Sequence, residues 1–289
     1  MSAAVLAQMS PATRVQRSTY LRDNKRYQFV RCEFRGIGTQ LYRARDLHRQ
    51  GQVVAIKRLE ASHFSLERFF GELRMMQHLN QHYPDQSITS VIDWFWSARA
   101  WYLVMRFVEG QSLEAVLQGR GGTLPFDEVL SIGLDLCAIL SVLHLHERPV
   151  IHRDIKPSNV LRDRDGRIVL ADFGTACFVD SPIDALFRGT WRYAAPEQRG
   201  GLPVTPAADI YGLGVTLYEL LTGHLPVKSG LTTHDQAFGQ LPRLLQQTLK
   251  QMMERDPRRR QAGMGIVETA LRHALQELPT QQGTERCRY

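Results

Sequence analysis

Between Val150 and Gly174 the chain reads His152-Arg153-Asp154-Ile155-Lys156-Pro157-Ser158-Asn159, then Val160-Leu161, a short polar turn, and Ile168-Val169-Leu170-Ala171-Asp172-Phe173-Gly174. Moving a phosphoryl group needs a carboxylate to orient a hydroxyl, a cation beside the transferred phosphate, and oxygen ligands for magnesium. Asp154, Lys156, Asn159 and Asp172 offer those groups within one short stretch. Upstream, Val53-Val54-Ala55-Ile56-Lys57 is an apolar run ending on a lysine, and a lysine so flanked calls for an anion.

The elements around these residues change character along the chain. From Tyr27 to Val108, short strand-like runs dominate (Tyr27 to Cys32, Leu41 to Ala44, Val53 to Leu59, Ile88 to Phe95, Trp101 to Phe107). One helical pattern, about Ser65 to Leu79, interrupts them and carries Phe69, Phe70, Leu73, Met76 and Leu79 on an apolar face. After Glu109-Gly110 long apolar helical patterns take over, at Phe126 to His146, Pro206 to Leu221, Leu241 to Met253 and Gly265 to Leu278. The expected organisation is an extension over residues 1–25, a small sheet with one helix over 26–109, a mostly helical part over 110–278 and a tail over 279–289. The fold class is α+β, with a hinge near Arg106 to Gly110.

Bulk properties exclude several classes. Of 289 residues 43% are hydrophobic and 22% charged, an ordinary globular composition able to bury a core. The net charge of +7 is spread rather than clustered, and no nucleic-acid reading motif occurs, so nucleic acid is not an expected partner. Cys32, Cys137, Cys177 and Cys287 lie far apart with no C-x-x-C pair, which points away from zinc ribbons and disulfide frameworks and towards a reducing compartment. The apolar run Val129 to Leu145 is broken by Ser131, Asp135 and Ser141, short of the roughly 20 apolar residues of a membrane span. Met1 to Met9 carries no positive charge ahead of its apolar part, so no signal peptide is expected and the location is read as cytoplasmic. No G-x-x-x-x-G-K-[ST], G-x-S-x-G or H-E-x-x-H occurs, and His144, His146 and His152 lack metal-site spacing.

The catalytic run, Val-Ala-Ile-Lys at Val54–Lys57 and Ala195-Pro196-Glu197 together resemble the eukaryotic-type (Hanks-type) serine/threonine protein kinase family, most like its bacterial members. The resemblance covers about Tyr27 to Leu278 and implies a bilobal kinase fold with ATP and magnesium in a cleft. It implies that Asp154 orients the serine or threonine hydroxyl of a protein substrate, that Lys156 faces the transferred phosphate, and that Asn159 and Asp172 hold magnesium. Lys57 would position the nucleotide's α and β phosphates, paired with Glu72 on the following helix, Glu67 being the competitor. Leu41, Ala55 and Leu161 would sandwich adenine, with Met105 behind it and the backbone of Arg106 and Val108 along its edge; each apolar residue taken singly fits plain core equally well.

Other parts of the family pattern fall on Gly189-Thr190-Trp191-Arg192-Tyr193, where Thr190 would bridge Asp154 and Lys156. Asp209 would anchor the catalytic loop, Arg260 would pair with Glu197, and His152 would pack on Phe173. Lysine at 156 and the Ala-Pro-Glu run favour protein over small-molecule acceptors. The sequence departs from the family at the glycine-rich loop, whose three places fall on Phe34, Gly36 and Thr39, with Gly38 in partial compensation. Glycine serves there because backbone N–H groups approach phosphate closely, although Gly36 and Gly38 equally fit a plain hairpin turn. The alternative function is therefore a pseudokinase that binds nucleotide with little turnover. Arg153 implies a cationic pocket that a phosphorylated segment could neutralise. Between Gly174 and Gly189 only Thr175 and Ser181 carry hydroxyls, and Asp180 or Asp184 could supply standing charge, so little dependence on phosphorylation is expected.

Overall fold

A computed structural model of the chain describes residues 25–83, 87–181, 188–226 and 236–277. Of the features expected above, the extension up to residue 24, Asp184, Leu278, the tail from 279 and Cys287 lie outside the described residues. The chain divides into two compact units, one ending at Val108 and the other running on from Glu109 and including residues 87 and 88.

The first unit is a five-stranded antiparallel sheet with one helix. Its strands are β1 (Tyr27–Gly36), β2 (Thr39–Asp46), β3 (Gln52–Glu60), β4 (Val91–Ser97) and β5 (Ala100–Arg106), in the order β1-β2-β3-β5-β4. Its helix is α1 (Leu66–His82). Ile37 and Gly38 form the two-residue turn between β1 and β2, and Gly38 has the positive φ (68°) such turns demand. A Cβ at Gly38 would also come within 2.5 Å of His63 Cβ. The helix starts at Ser65, whose side chain accepts from the Arg68 amide, and it runs one turn past the expected end at Leu79.

Phe69, Leu73, Met76 and Leu79 are fully buried on one stripe of α1, each contributing roughly 2 kcal/mol by burial. Phe69 stacks on Trp101 of β5 with centroids 4.9 Å apart, and Phe70 meets Trp94 of β4 edge-on at 5.2 Å. These aromatic pairs seat the helix on the sheet. Arg26 fastens the start of β1 through bonds to Asp46 (2.8 and 2.6 Å) and Asp93 (2.8 Å). The fourth strand begins at Val91 rather than Ile88. The side chain of Asn80 bonds both the N–H and the carbonyl of Val91, and Ile88 forms an isolated bridge with Leu170 of the second unit.

The second unit is mostly helical. Its principal helices are α2 (Leu113–Gly119), α3 (Phe126–His144), α4 (Pro196–Arg199), α5 (Ala207–Thr222), α6 (Gln236–Gly239), α7 (Arg243–Met252) and α8 (Met264–Gln276). Helix α3 packs on α5 and α8, and α7 packs on the same two. Leu136, Leu140 and Leu143 of α3, Leu213 and Leu217 of α5, Leu249 of α7 and Leu271 of α8 are fully buried. Two small sheets complete the unit: β6 (Gly110–Ser112) with β8 (Val160–Asp163) and β9 (Ile168–Leu170), and β7 (Val150–Ile151) with β10 (Cys177–Phe178). The expected helix boundaries move by one to two residues. Helix α3 stops at His144 because the Leu145 amide closes the last turn on the Ser141 carbonyl.

The fold is α+β, with the antiparallel sheet first and the helical part second. Among the described residues no helix is long and apolar enough to cross a membrane. Cys32, Cys137 and Cys177 are free thiols, and burial pushes that of Cys137 up to about 12.

Candidate active site

The charged residues of the second unit converge because two buried scaffolds hold the backbone between β7 and β8. Asp209, on the first turn of α5, is 1% exposed, and its carboxylate accepts from the His152 amide (2.9 Å) and the Arg153 amide (2.8 Å). His144 at the end of α3 adds a third bond at 2.9 Å. Burial alone would raise the Asp209 pKa. The His144 hydrogen bond, the fields of His144 and His152 and the backbone amide outweigh it, leaving the carboxyl below the ordinary range. Arg260 and Glu197 form a buried bidentate pair at 2.6 and 2.8 Å, which fixes α4 at the end of the 189–197 segment.

On that frame Asp154 becomes the centre of a knot of bonds. Its carboxylate meets the Lys156 ammonium at 2.8 Å, the Thr190 amide at 2.8 Å and the Asn159 side-chain amide at 3.1 Å. The Lys156 ammonium also donates to the Thr190 hydroxyl at 2.5 Å. Thr190 therefore spans Asp154 and Lys156 as the resemblance implied, through its amide on one side and its hydroxyl on the other. Only 7% of the Asp154 side chain is exposed, less than an open base would show. What closes over it is polar and belongs to the same cluster, so the carboxylate faces hydrogen-bond donors rather than the apolar core.

Hairpin β8–β9 brings Asn159 and Asp172 together. The pairing of Val160 with Leu170, continued by the Ala171 amide on the Asn159 carbonyl (2.9 Å), puts the two residues at the open end of one hairpin. Asn159 gives both amide protons to Asp154, at its carbonyl (2.9 Å) and its carboxylate (3.1 Å), which turns its Oδ1 away from that carboxylate. Asp172 is solvent-exposed. A carboxylate and an amide oxygen at one hairpin end are hard donors of the kind magnesium takes, so these residues fit that ion. Phe173 is 1% exposed and packs edge-on against His152 at 4.8 Å, and His152 Nε2 bonds the Ala171 carbonyl at 3.1 Å. His144 and His152 are thus engaged in scaffold bonds.

In the first unit Lys57 Nζ donates to Glu72 Oε1 at 2.7 Å, with the side chains 14% and 5% exposed. Glu67 lies exposed in the first turn of α1 and takes no part. Cross-strand partners share a face. The register Leu41↔Lys57, Arg43↔Ala55 and Ala55↔Met105 therefore places Leu41, Ala55, Lys57 and Met105 on one face of the sheet. The Arg106 amide is committed to the Ser90 carbonyl (2.9 Å), so reading a base edge at this residue falls to its carbonyl, not to both backbone groups. Val108 is nearly buried, Gly36 ends β1 and Gly38 is the second residue of the β1–β2 turn, and Leu161 lies half-buried on β8 in the second unit.

Several functional neighbours escaped the sequence. Asp180 pairs with Arg148 at 3.2 Å, not with Arg153. Arg153 instead donates from Nε to the Thr175 carbonyl at 2.5 Å. Gln198 holds the Arg153 carbonyl at 2.9 Å, and Tyr193 donates to Glu219 at 2.6 Å. Backbone carbonyls as partners have no signature in residue type, whereas His144, at the polar end of an otherwise apolar helix, was a signal that could have been followed to Asp209.

Residues 35–286 match the family model described as protein kinase domain. Among curated proteins the chain is 34% identical over 205 residues to serine/threonine-protein kinase PrkC of Bacillus subtilis, covering 70% of this chain and 31% of that one. It is 36% identical over 213 residues to serine/threonine-protein kinase PknA of Mycobacterium tuberculosis, covering 70% and 48%. Probable serine/threonine-protein kinase PknB of Lactococcus lactis shares 32% over 209 residues, covering 70% and 32%. The chain thus spans about a third to a half of the length of the curated relatives it matches. A family model matching most of the chain, laid over a buried Lys57–Glu72 pair and an Asp154–Lys156–Thr190 knot, leaves one assignment: the chain belongs to the protein kinase domain family.

Proposed function

We propose that the chain transfers the γ-phosphoryl group of ATP to serine or threonine hydroxyls of protein substrates. The observation that carries this reading is the Asp154 carboxylate tied to Lys156 and, through Thr190, to the 189–197 segment. In the reaction the acceptor oxygen forms a bond to the γ-phosphorus while the bond from that phosphorus to the ADP oxygen breaks. Asp154 aligns the hydroxyl and takes its proton. Lys156 places an ammonium against the oxygens of the moving group, and Thr190 holds both side chains in register. Asn159 and Asp172 would hold magnesium, which neutralises phosphate charge when bound. Lys57, kept in place by Glu72, positions the α and β phosphates.

Leu41, Ala55 and Leu161 would enclose the adenine ring, with Met105 behind it and the carbonyl of Arg106 and backbone of Val108 along its edge. Gly36 and Gly38 would bring turn amides to the phosphates. We divide the chain into an extension (1–25), the nucleotide-grasping part (26–109), the catalytic part (110–278) and a tail (279–289). The scattered cysteines fit the cytoplasm. Little dependence on phosphorylation of Ser181 follows from Arg153 already resting on the Thr175 carbonyl, and a large activity loss in Ser181→Ala would contradict it.

Transfer of labelled phosphate from ATP with magnesium to a generic basic protein tests the reading. Lys57→Met is expected to lose about 10²–10³-fold in kcat, the scale of removing one preorganised charge. Unchanged turnover would refute the Lys57 assignment, and absence of label with wild-type chain would refute the activity.

A further inference from the structure

Among the described residues of the second unit, two that are not glycine stand in the left-handed backbone region, Arg153 at φ 68° and Asp172 at φ 61°. Such conformations persist only where surrounding bonds hold them. Arg153 is held on both backbone sides, its amide on Asp209 (2.8 Å) and its carbonyl on Gln198 (2.9 Å). Next to Asp172 the bonds run from His152 Nε2 to the Ala171 carbonyl (3.1 Å) and from the Gly174 amide to the Asp172 carboxylate (3.3 Å). Neither reaches past Gly174.

Thr175 supplies that reach. Its hydroxyl donates to the His152 carbonyl at 3.0 Å, and its own carbonyl accepts from Arg153 Nε at 2.5 Å. One residue thus ties the segment after Asp172 to the two residues before Asp154, through side chain and backbone together. We propose that Thr175 is a positioning residue for the Asp172 carboxylate, its hydroxyl clamp on the His152 carbonyl setting where Asp172 stands relative to Asn159. The proposal rests on the reading of Asn159 and Asp172 as magnesium ligands. A group that orients a ligand without touching the ion commonly changes metal affinity and rate together. With the hydroxyl gone, the Arg153 bond, the Ala176 amide on the Phe173 carbonyl (3.1 Å) and the β7–β10 pairing still hold the segment, but its direct tie to the His152 carbonyl is lost and the backbone carrying Asp172 is set less tightly.

The test uses the full chain with Thr175→Val, which keeps the side-chain shape and removes the donor, and Thr175→Ser, which keeps the donor. Two readouts are taken: the magnesium dependence of ADP binding by calorimetric titration, and kcat against KM for ATP in phosphoryl transfer. Thr175→Val is expected to raise the half-saturating magnesium concentration and lower kcat by about tenfold each, the factor one lost hydrogen bond carries. ADP binding without magnesium should stay unchanged. Thr175→Ser should recover both to within about threefold. The proposal is overturned if Thr175→Val keeps the wild-type magnesium dependence, if Thr175→Ser behaves like Thr175→Val, or if ADP binding weakens equally with and without magnesium. A wild-type chain that binds magnesium and ADP yet transfers nothing sinks the activity reading alone, since the binding arm still decides the clamp.

Discussion

The catalytic loop of the second unit and the glycine turn of the first are both assigned to phosphate handling, yet they are held in opposite ways. From His152 to Asn159 the loop is held by specific side-chain bonds: Asp209 under the His152 and Arg153 amides, Gln198 on the Arg153 carbonyl, Asn159 and Thr190 on Asp154. At the β1–β2 turn no side-chain bond among the described residues fixes the loop: Phe34 and Ile37 are exposed by 56% and 88%, and the turn is held by the strand ladder, the Glu60 amide on the Gly38 carbonyl (2.9 Å) and the packing of His63 against Gly38. A loop that must aim side chains is fixed by specific chemistry. One that must offer backbone amides needs only the right turn, and tolerates substitution around it.

The comparison is broken most forcefully through the second unit's scaffold. Arg260→Met leaves Glu197 buried without its partner, and a loss of about 3–5 kcal/mol of stability in denaturant unfolding is expected. A loss below about 1 kcal/mol would show the catalytic segment to be less firmly determined than described.

Asp209→Asn comes next, since the amide turns a donor towards backbone N–H groups that need an acceptor, costing about 2–3 kcal/mol at neutral pH. Because the folded Asp209 pKa lies below its ordinary value, its contribution is fully present above the unfolded pKa of about 4 and fades as pH falls through the lower folded value. Wild-type stability should therefore drop more steeply below about pH 4 than that of Asp209→Asn. Parallel curves from pH 6 to 2 would argue against this role.

The glycine turn answers with smaller effects. Gly38→Ala is expected to cost about 1–2 kcal/mol through its positive φ, compounded by the crowding of His63. Gly36→Ala should stay within about 0.5 kcal/mol, because the atom nearest its added Cβ, at 2.9 Å, is on the ring of the exposed Phe34. Equal losses at both positions would erase the distinction drawn between them.

What could be read from the chain follows the same division. Asp154, Lys156, Asn159, Asp172 and Lys57 announce themselves because transfer chemistry restricts residue type and spacing together. Glu72 stood against Glu67 on its register in the family resemblance, and the 2.7 Å bond to Lys57 separates them. Contacts made to carbonyls, such as Arg153 on Thr175, leave no trace in residue type. The seating of α1 on Trp94 and Trp101 was hidden because periodicity shows which face is apolar but not what it meets. Asp180 was a candidate for the standing charge near Arg153 because it lies in the segment after Gly174, whereas strand pairing of Phe178 with Val150 carries it to Arg148. The start of β4 was read too early because apolar Ile88 and Val91 look alike until Asn80 selects Val91.

The central claim is that Asp154 orients and deprotonates the acceptor hydroxyl. Phosphate transfer from labelled ATP, in the presence of magnesium, by wild-type chain and by Asp154→Asn measures it directly. The account predicts label on the acceptor with wild type and a rate about 10³-fold lower for Asp154→Asn, at matched ATP binding. Equal rates in the two forms would contradict it.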